Sequence, residues 1–384
     1  MSSPSTPRFD TKASHQAAIL AKKTNPSTGQ PVEVDSAIVA ALPSGHRFVR
    51  AIALGGSLWC QTAKIETSFS HSATPNNDCS NNENHTEVPV NFFLKTTRGP
   101  IAEKMFTGEF AGMTALHEAL PEFAPKPIAF GPCSNNDETS HFFFLESYIP
   151  MSLSEPLNPR DFCSQLARLH KSTTGTSPTG KFGFGTTTCN GNIAQLVDWE
   201  ERWDVFFAKG LKWSVDLHST ITGTLNEDLR NGLKRLCKIA IPHLLSPLRL
   251  KDSITHQPIK PCLVHGDLWI GNTGTDSASQ KPVIYDPAAF YAHNEYELGN
   301  WVPERCGFGG LEGEFVREYK AWYPPAEPGG EWEDRVRLYS FRFELQFCCL
   351  FPGQEEPKRV MKAMIEDMHK MCDKYGGRMS DQVE

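Results

Sequence analysis

The 384-residue chain holds no CxxC pair among its 11 cysteines, no GxxxxGK[ST] or GxGxxG signature, and no stretch of 18 consecutive apolar residues. The missing CxxC spacing excludes a paired-cysteine zinc site, and the two missing glycine signatures remove the main support for a P-loop NTPase or a dinucleotide-binding oxidoreductase. Without a long apolar run there is no candidate for a membrane-spanning helix, and Met1 to Leu20 lacks an apolar core of signal-peptide length. A basic excess is missing too: the net charge of −7 argues against a nucleic-acid surface built on bulk positive charge. The cysteines are odd in number and scattered, and the adjacent Cys348 and Cys349 do not suit a disulfide, so free thiols in a reducing cytosol are expected.

What is present is ordinary soluble composition, 39% hydrophobic and 22% charged, on a chain long enough for two domains. Residues 1–33 read as a flexible tail rich in Ser, Thr, Pro and Lys, with a short helix expected around Ala13 to Lys22. Val34, Ile38 and Leu42 have helical spacing, and Phe48 to Ile52 reads as a strand running into Gly55-Gly56-Ser57. Strands are expected at Thr62 to Phe69 and Val88 to Lys95. Between them the Asn-rich insertion at about 71–87 should decorate a hairpin without breaking the domain.

An amphipathic helix is expected over Ile101 to Leu120, and a buried strand at "HFFFLESYI", His141 to Ile149. Asn158-Pro159 reads as an N-cap followed by Pro at the first helical position. Helical segments follow at Trp199 to Lys209 and Asn226 to Leu245, then short strands at Cys262 to His265 and Pro282 to Asp286. Val360 to Met371 reads as a helix docked on the core through a Met-rich face. The outline is α+β and two-lobed: residues 34–148, a strand-rich lobe with one long helix, then a larger, mainly helical lobe over residues 149–384.

"LVHGDLWIGN" (Leu263 to Asn272) sets Asp267 five residues before Asn272, and Asp286 follows at the end of the next strand. Singly, each residue suits an ordinary turn or strand exit. Together they offer a carboxylate to receive a proton, then an amide oxygen and a second carboxylate as hard ligands that can share Mg²⁺ with phosphates. Phosphoryl transfer also needs a strand Lys for the α- and β-phosphates and a helix Glu to hold it; Lys95 and Glu109 fill those places. Gly55, Gly56 and Ser57 offer a phosphate-covering turn, although the same residues serve equally as a plain hairpin.

In that order, Lys95, Glu109, "HGDLWIGN" and "IYDPAAFYAHNEYEL" (Ile284 to Leu298) resemble the fructosamine kinase and ketosamine-3-kinase family. "MFTGEFAGMTAL", "QLARLHKST", "KFGFGTTTCNGN" and "DWEERWDVFF" extend the likeness from about residue 34 to the C-terminal helix. The resemblance implies a bilobal protein kinase-like fold with an antiparallel sheet and one long helix in the N-lobe. It also implies ATP-dependent, Mg²⁺-assisted phosphorylation of the 3-hydroxyl of a ribulosamine or fructosamine on a glycated lysine, followed by spontaneous loss of the sugar. Carried over residue by residue, it implies Asp267 as catalytic base and Asn272 and Asp286 as metal ligands. Nucleotide binding would fall to Gly55, Gly56, Ser57, Lys95, Glu109, Glu146 and Tyr148.

Trp269 and His265 are the implied substrate-side residues; Trp269 either stacks on the sugar or packs under the loop, and His265 suits structural hydrogen bonding better than acid–base work. Gly266 stands where protein kinases have the Arg of HRD, so no cation waits there for a phosphorylated loop. Pro287 restricts Asp286 and argues against a mobile DFG-type switch. The expected partners are ATP and glycated proteins or small ketosamines, without nucleic acid or membrane, and the expected state is a cytoplasmic monomer. The rival readings are a kinase of another small alcohol, such as an aminoglycoside or choline, and a nucleotide-binding pseudokinase.

Overall fold

Alternating burial in parts of β1 (His46–Gly56), β2 (Gln61–Ser70) and β3 (Glu87–Arg98), with the continuously buried β5 (His141–Ser147) and the half-buried β4 (Pro127–Pro132), builds an antiparallel sheet in the order β1-β2-β3-β5-β4. The structure is a computed structural model that describes residues 27–70, 87–134, 140–152 and 156–380. The helix expected around Ala13 to Lys22, the rest of the tail through residue 26, and the Asn-rich insertion apart from Glu87 lie outside the described residues. By contact density the chain divides into two units, Met1–Phe110 with Pro125–Ile149, and Ala111–Ala124 with Pro150–Glu384.

In the first unit, β2 and β3 pair in register from Gln61↔Thr96 to Ser70↔Glu87, the hairpin that the sequence placed on either side of the insertion. Ile65, Leu94 and Leu145 bury one sheet face against Ile38 of the short helix α1 (Ser36–Ala40), whose N-cap Asp35 accepts from the Ala37 amide at 2.8 Å. The opposite face carries Phe144, which meets Phe106 and Phe110 of α2 (Ala102–Ala119) at ring separations of 6.1 and 6.4 Å. Pairing begins earlier than the sequence suggested: the amides of Gly29 and Val32 donate to Ala53 and Ala51 of β1, at 2.8 and 3.1 Å. A polar, Pro-containing segment shows no apolar period, yet its backbone covers the exposed edge of β1.

The second unit is mainly helical. Asn158 caps α3 (Pro159–Thr173), its side chain accepting from the Asp161 amide at 3.0 Å, as Asn-Pro implied. α4 (Trp203–Thr222) starts later than the expected Trp199 and closes at Gly223, whose φ of 67° is natural for glycine. The helix expected over Asn226 to Leu245 is two, α5 (Glu227–Lys238) and α6 (Ala240–Leu245). Pro242 explains the break: it has no N–H to donate to the Lys238 carbonyl, a loss tolerated only in a first turn.

Short strands complete this unit. β6 (Met151–Ser152) pairs with β10 (Thr273–Asp276), which pairs with β11 (Pro282–Ile284); β7 (Cys189–Asn190) pairs with β8 (Ile193–Ala194), and β9 (Cys262–Val264) with β12 (Phe290–Ala292). Three further helices follow, α7 (Glu314–Trp322), α8 (Trp332–Leu350) and α9 (Glu355–Ser380). Met361, Met364, Met368 and Met371 of α9 are buried in the helical core, each burial contributing about 1.5–3 kcal/mol, as the Met-rich face implied. Among the described residues no helix is long and apolar enough to cross a membrane, and the ten described cysteines are all free.

Candidate active site

The exit of β9 runs straight into His265-Gly266-Asp267. His265 is fully buried; its Nε2 lies 2.8 Å from the Tyr285 carbonyl, and its Nδ1 accepts from the Asp267 amide at 3.3 Å. These contacts make His265 a pin between two loops. Gly266 has φ +79°, and a Cβ there would meet the Ala288 carbonyl oxygen at 2.3 Å, so the turn admits only glycine.

Glu297 holds this turn from below. Its fully buried carboxylate accepts from the His265 amide at 2.5 Å and the Gly266 amide at 3.0 Å, and His170 Nε2 stands 3.7 Å from it. One residue pair further, Glu295 meets Arg335 at 2.8 Å and accepts from the Ala326 amide at 2.7 Å, a buried charge pair with its remaining valences used. Sequence reasoning quoted this segment but gave neither Glu a role. Its only clue was two carboxylates in a stretch otherwise rich in aromatic and small residues.

Asp267, Asn272 and Asp286 come together as expected from the motif. Asn272 Nδ2 donates to the Asp267 carbonyl at 2.8 Å and lies 3.4 Å from both Asp267 Oδ2 and the Asp286 carbonyl. Burial pushes the Asp267 carboxyl up to about 8, and the charges of Asp286 and Glu297 push the same way, against hydrogen bonds from Asn190 and Asn272. Asp286 has φ +64°, where a residue before Pro was expected to be extended. Asp tolerates this region better than most residues, and local strain of this kind is held where surrounding contacts fix it.

The oxygens of Asn272 and Asp286 fit Mg²⁺ chemically. They are hard donors beside a carboxyl made costly to ionise by burial first and by neighbouring negative charge second. Among the described residues no cluster of three His, Cys, Asp or Glu could enclose a metal by itself. A small ion that keeps waters and phosphate oxygens in its shell suits such a partial set.

In the first unit, Lys95 on β3 and Glu109 on α2 meet at 2.5 Å, the Lys 4% and the Glu 9% exposed. Lys95 sits next to Leu94 but on the opposite sheet face, with its ammonium 5.9 Å from the Phe93 and Phe144 ring centres. β1 ends on Gly55, at φ +101°, and Gly56, and its connection to β2 opens on the exposed Ser57, whose hydroxyl accepts from the Trp59 and Cys60 amides at 3.2 and 3.0 Å. Glu146 is buried on β5; Tyr148 follows it, its amide donating to the Asn91 carbonyl at 3.2 Å. Trp269, in the second unit, is 40% exposed, and its ring lies over Gly271, where a Cβ would meet it at 2.2 Å.

The fructosamine kinase family profile matches residues 60–370. The chain belongs to the fructosamine kinase family. Mouse ketosamine-3-kinase is 31% identical over 271 residues, 64% of this chain and 78% of its own length. The chloroplastic protein-ribulosamine 3-kinase of rice (Oryza sativa subsp. japonica) is 28% identical over 295 residues, 76% of this chain and 78% of its own. Among solved structures, a provisionally assigned fructosamine-3-kinase from Thermobifida fusca superposes with a TM-score of 0.62 at 19% identity, covering 88% of this chain and 99% of that one. An aminoglycoside phosphotransferase in ternary complex with AMP-PNP and hygromycin B gives 0.52 at 13%, covering 88% and 98%. The fold of this fructosamine kinase family member is therefore kinase-like, with an N-terminal antiparallel sheet and a helical C-terminal part.

Proposed function

We propose that this chain is an ATP-dependent ketosamine 3-kinase. The observation that carries the reading is the loop from His265 to Asn272, where a buried carboxyl, an amide and the nearby Asp286 form one oxygen-rich site in a member of the fructosamine kinase family. Asp267, whose ionised form a cation held by Asn272 and Asp286 would favour, orients the sugar 3-hydroxyl and takes its proton as the O3–phosphorus bond forms; the bond from phosphorus to ADP breaks, and ADP leaves with that electron pair. Lys95, fixed by Glu109, supplies the fixed positive charge for the nucleotide phosphates. Mg²⁺, held by Asn272 and Asp286, would neutralise charge on the transferred phosphoryl group.

The substrate class is a ribulosamine or fructosamine on a lysine of a glycated protein, and the product is a 3-phosphate that loses its sugar and frees the amine. Exposure of Trp269 beside Asp267 favours stacking on the sugar or its linker over packing beneath the loop. We assign the reaction to a reducing compartment, the cytosol, where buried thiols such as Cys262 and Cys306 stay reduced. ATP consumption with ribulosyl-lysine, fructosyl-lysine and unmodified lysine tests the reading. Turnover on a ketosamine and none on lysine is expected; turnover on neither ketosamine, with ATP still bound, would leave a pseudokinase or a kinase of another alcohol.

A further inference from the structure

Asp267 is ringed by three asparagine side chains, and only one is needed for the metal. Asn272 belongs to the oxygen set described above. Asn190, 5% exposed at the tip of the β7–β8 hairpin, stands near enough to Asp267 to hold its carboxyl's titration down; Asn300, 6% exposed, places Nδ2 3.5 Å from Asp267 Oδ1.

Both are held by separate devices. Gly191, with φ +56°, turns the hairpin immediately after Asn190. Gln195 then fastens it: Nε2 donates to the Ala288 carbonyl at 3.0 Å and to Thr188 Oγ1 at 3.2 Å. Ala288 in turn donates to the His265 carbonyl at 2.9 Å, so the hairpin is tied directly to the loop that bears Asp267. Asn300 is oriented by Cys306, whose thiol donates to Oδ1 at 3.5 Å; burial pushes that thiol up to about 12 and keeps its proton on. With its oxygen turned toward the Cys306 thiol, Asn300 presents its N–H donors toward Asp267.

A hydroxyl that gives its proton to Asp267 must sit within hydrogen-bond reach of that carboxyl, and so between amides already on it. Neighbouring oxygens of a sugar lie about a hydrogen-bond length apart, so the oxygens flanking O3 fall on these same amides. In a ketosamine one flank is the C2 carbonyl, an acceptor only; the other is the C4 hydroxyl, which both gives and takes. We propose that Asn190 and Asn300 recognise the substrate, Asn300 donating to the C2 oxygen and Asn190 pairing with the C4 hydroxyl. The assignment rests on the ketosamine reading above, and it makes the hairpin around Asn190 a specificity element.

The test is a matrix of kcat/KM values with wild type, Asn190→Ala, Asn190→Ser and Asn300→Ala. The substrates are ribulosyl-Nα-acetyl-lysine, its 4-deoxy analogue, and the analogue with the C2 oxygen removed. Wild type is expected to lose about tenfold or more on the 4-deoxy compound, and Asn190→Ala the same factor on the parent, with little further loss when both changes are combined. Asn300→Ala should show the same non-additivity with the compound that lacks the C2 oxygen. Asn190→Ser, which keeps a short polar group at the turn, serves if the Ala variant does not fold; it should show a smaller loss on the parent and the same coupling.

A variant that loses an equal factor on all three compounds acts through Asp267 alone, and that overturns the recognition role while the ketosamine reading stands. Wild type inactive on the parent compound overturns the ketosamine reading and this inference with it.

Discussion

Replacing Glu297 by Ala should loosen the loop that carries Asp267 more than any other single change outside the loop. The carboxylate satisfies two backbone donors at 2.5 and 3.0 Å in a region where Glu297 itself has no exposed surface. Truncation orphans both N–H groups, and an unsatisfied buried donor costs about 1–3 kcal/mol, so the loss should be roughly 2–6 kcal/mol. That is a large part of a typical stability of about 5–15 kcal/mol. Glu297→Gln keeps the volume and one acceptor oxygen and should cost about half as much. Urea unfolding followed by tryptophan fluorescence reads the stability, with an unchanged slope marking an unchanged denatured state. In the variants that fold, kcat on a ketosamine should fall by up to about 100-fold, because small misplacement of a reacting group has that effect. Glu297→Ala with stability within about 0.5 kcal/mol of wild type and with unchanged kcat would refute the reasoning.

Glu109→Ala removes the carboxylate 2.5 Å from Lys95; a stability loss of about 3–5 kcal/mol and a higher KM for ATP are expected, checked by thermal unfolding and initial rates. Gly266→Ala would force a Cβ to 2.3 Å from the Ala288 carbonyl oxygen, and activity should drop to background even where soluble protein is recovered. Gly271→Ala would bring a Cβ to 2.2 Å from the Trp269 ring, a partly exposed side chain that can swing outward, so stability should stay within about 1 kcal/mol of wild type while KM for the ketosamine rises. Burial holds the His293 imidazole down at about 4, whereas in the unfolded chain it takes up a proton near 6.5. The fold therefore keeps this contribution above pH 6.5 and loses it as pH falls toward 4, by about 3 kcal/mol in all. His293→Gln should flatten that part of the stability profile between pH 7 and 4.5, and an unchanged profile would contradict the burial argument.

Much of this was legible in the residues. Asn158-Pro159 marks a helix start because a side-chain acceptor and a missing N–H both suit a first turn. The paired strands around the insertion follow from apolar alternation on either side of a polar gap. Asp267, Asn272 and Asp286 were found as a group because their spacing is local or separated by one strand. By contrast, α8 went unread: Val336, Tyr339, Phe343 and Cys348 are buried, but so are Arg335, Arg342 and Gln346, and a helix wrapped on most sides shows no polar stripe. Glu297, Asn190 and Asn300 were missed for another reason. Glu297 binds backbone amides, which every residue type carries, and the two Asn residues reach Asp267 through a distant hairpin and a buried 3₁₀ segment, Asn294–Trp301. Chain folding alone brings such partners together.

The central claim is tested most directly by locating the phosphate. Ribulosyl-Nα-acetyl-lysine incubated with ATP, Mg²⁺ and the wild-type protein should give a ³¹P signal coupled to the proton on C3, followed by release of the free lysine amine. Asp267→Asn should give neither. Phosphate found on another oxygen, or transfer that persists in the Asp267 variant, would contradict the account.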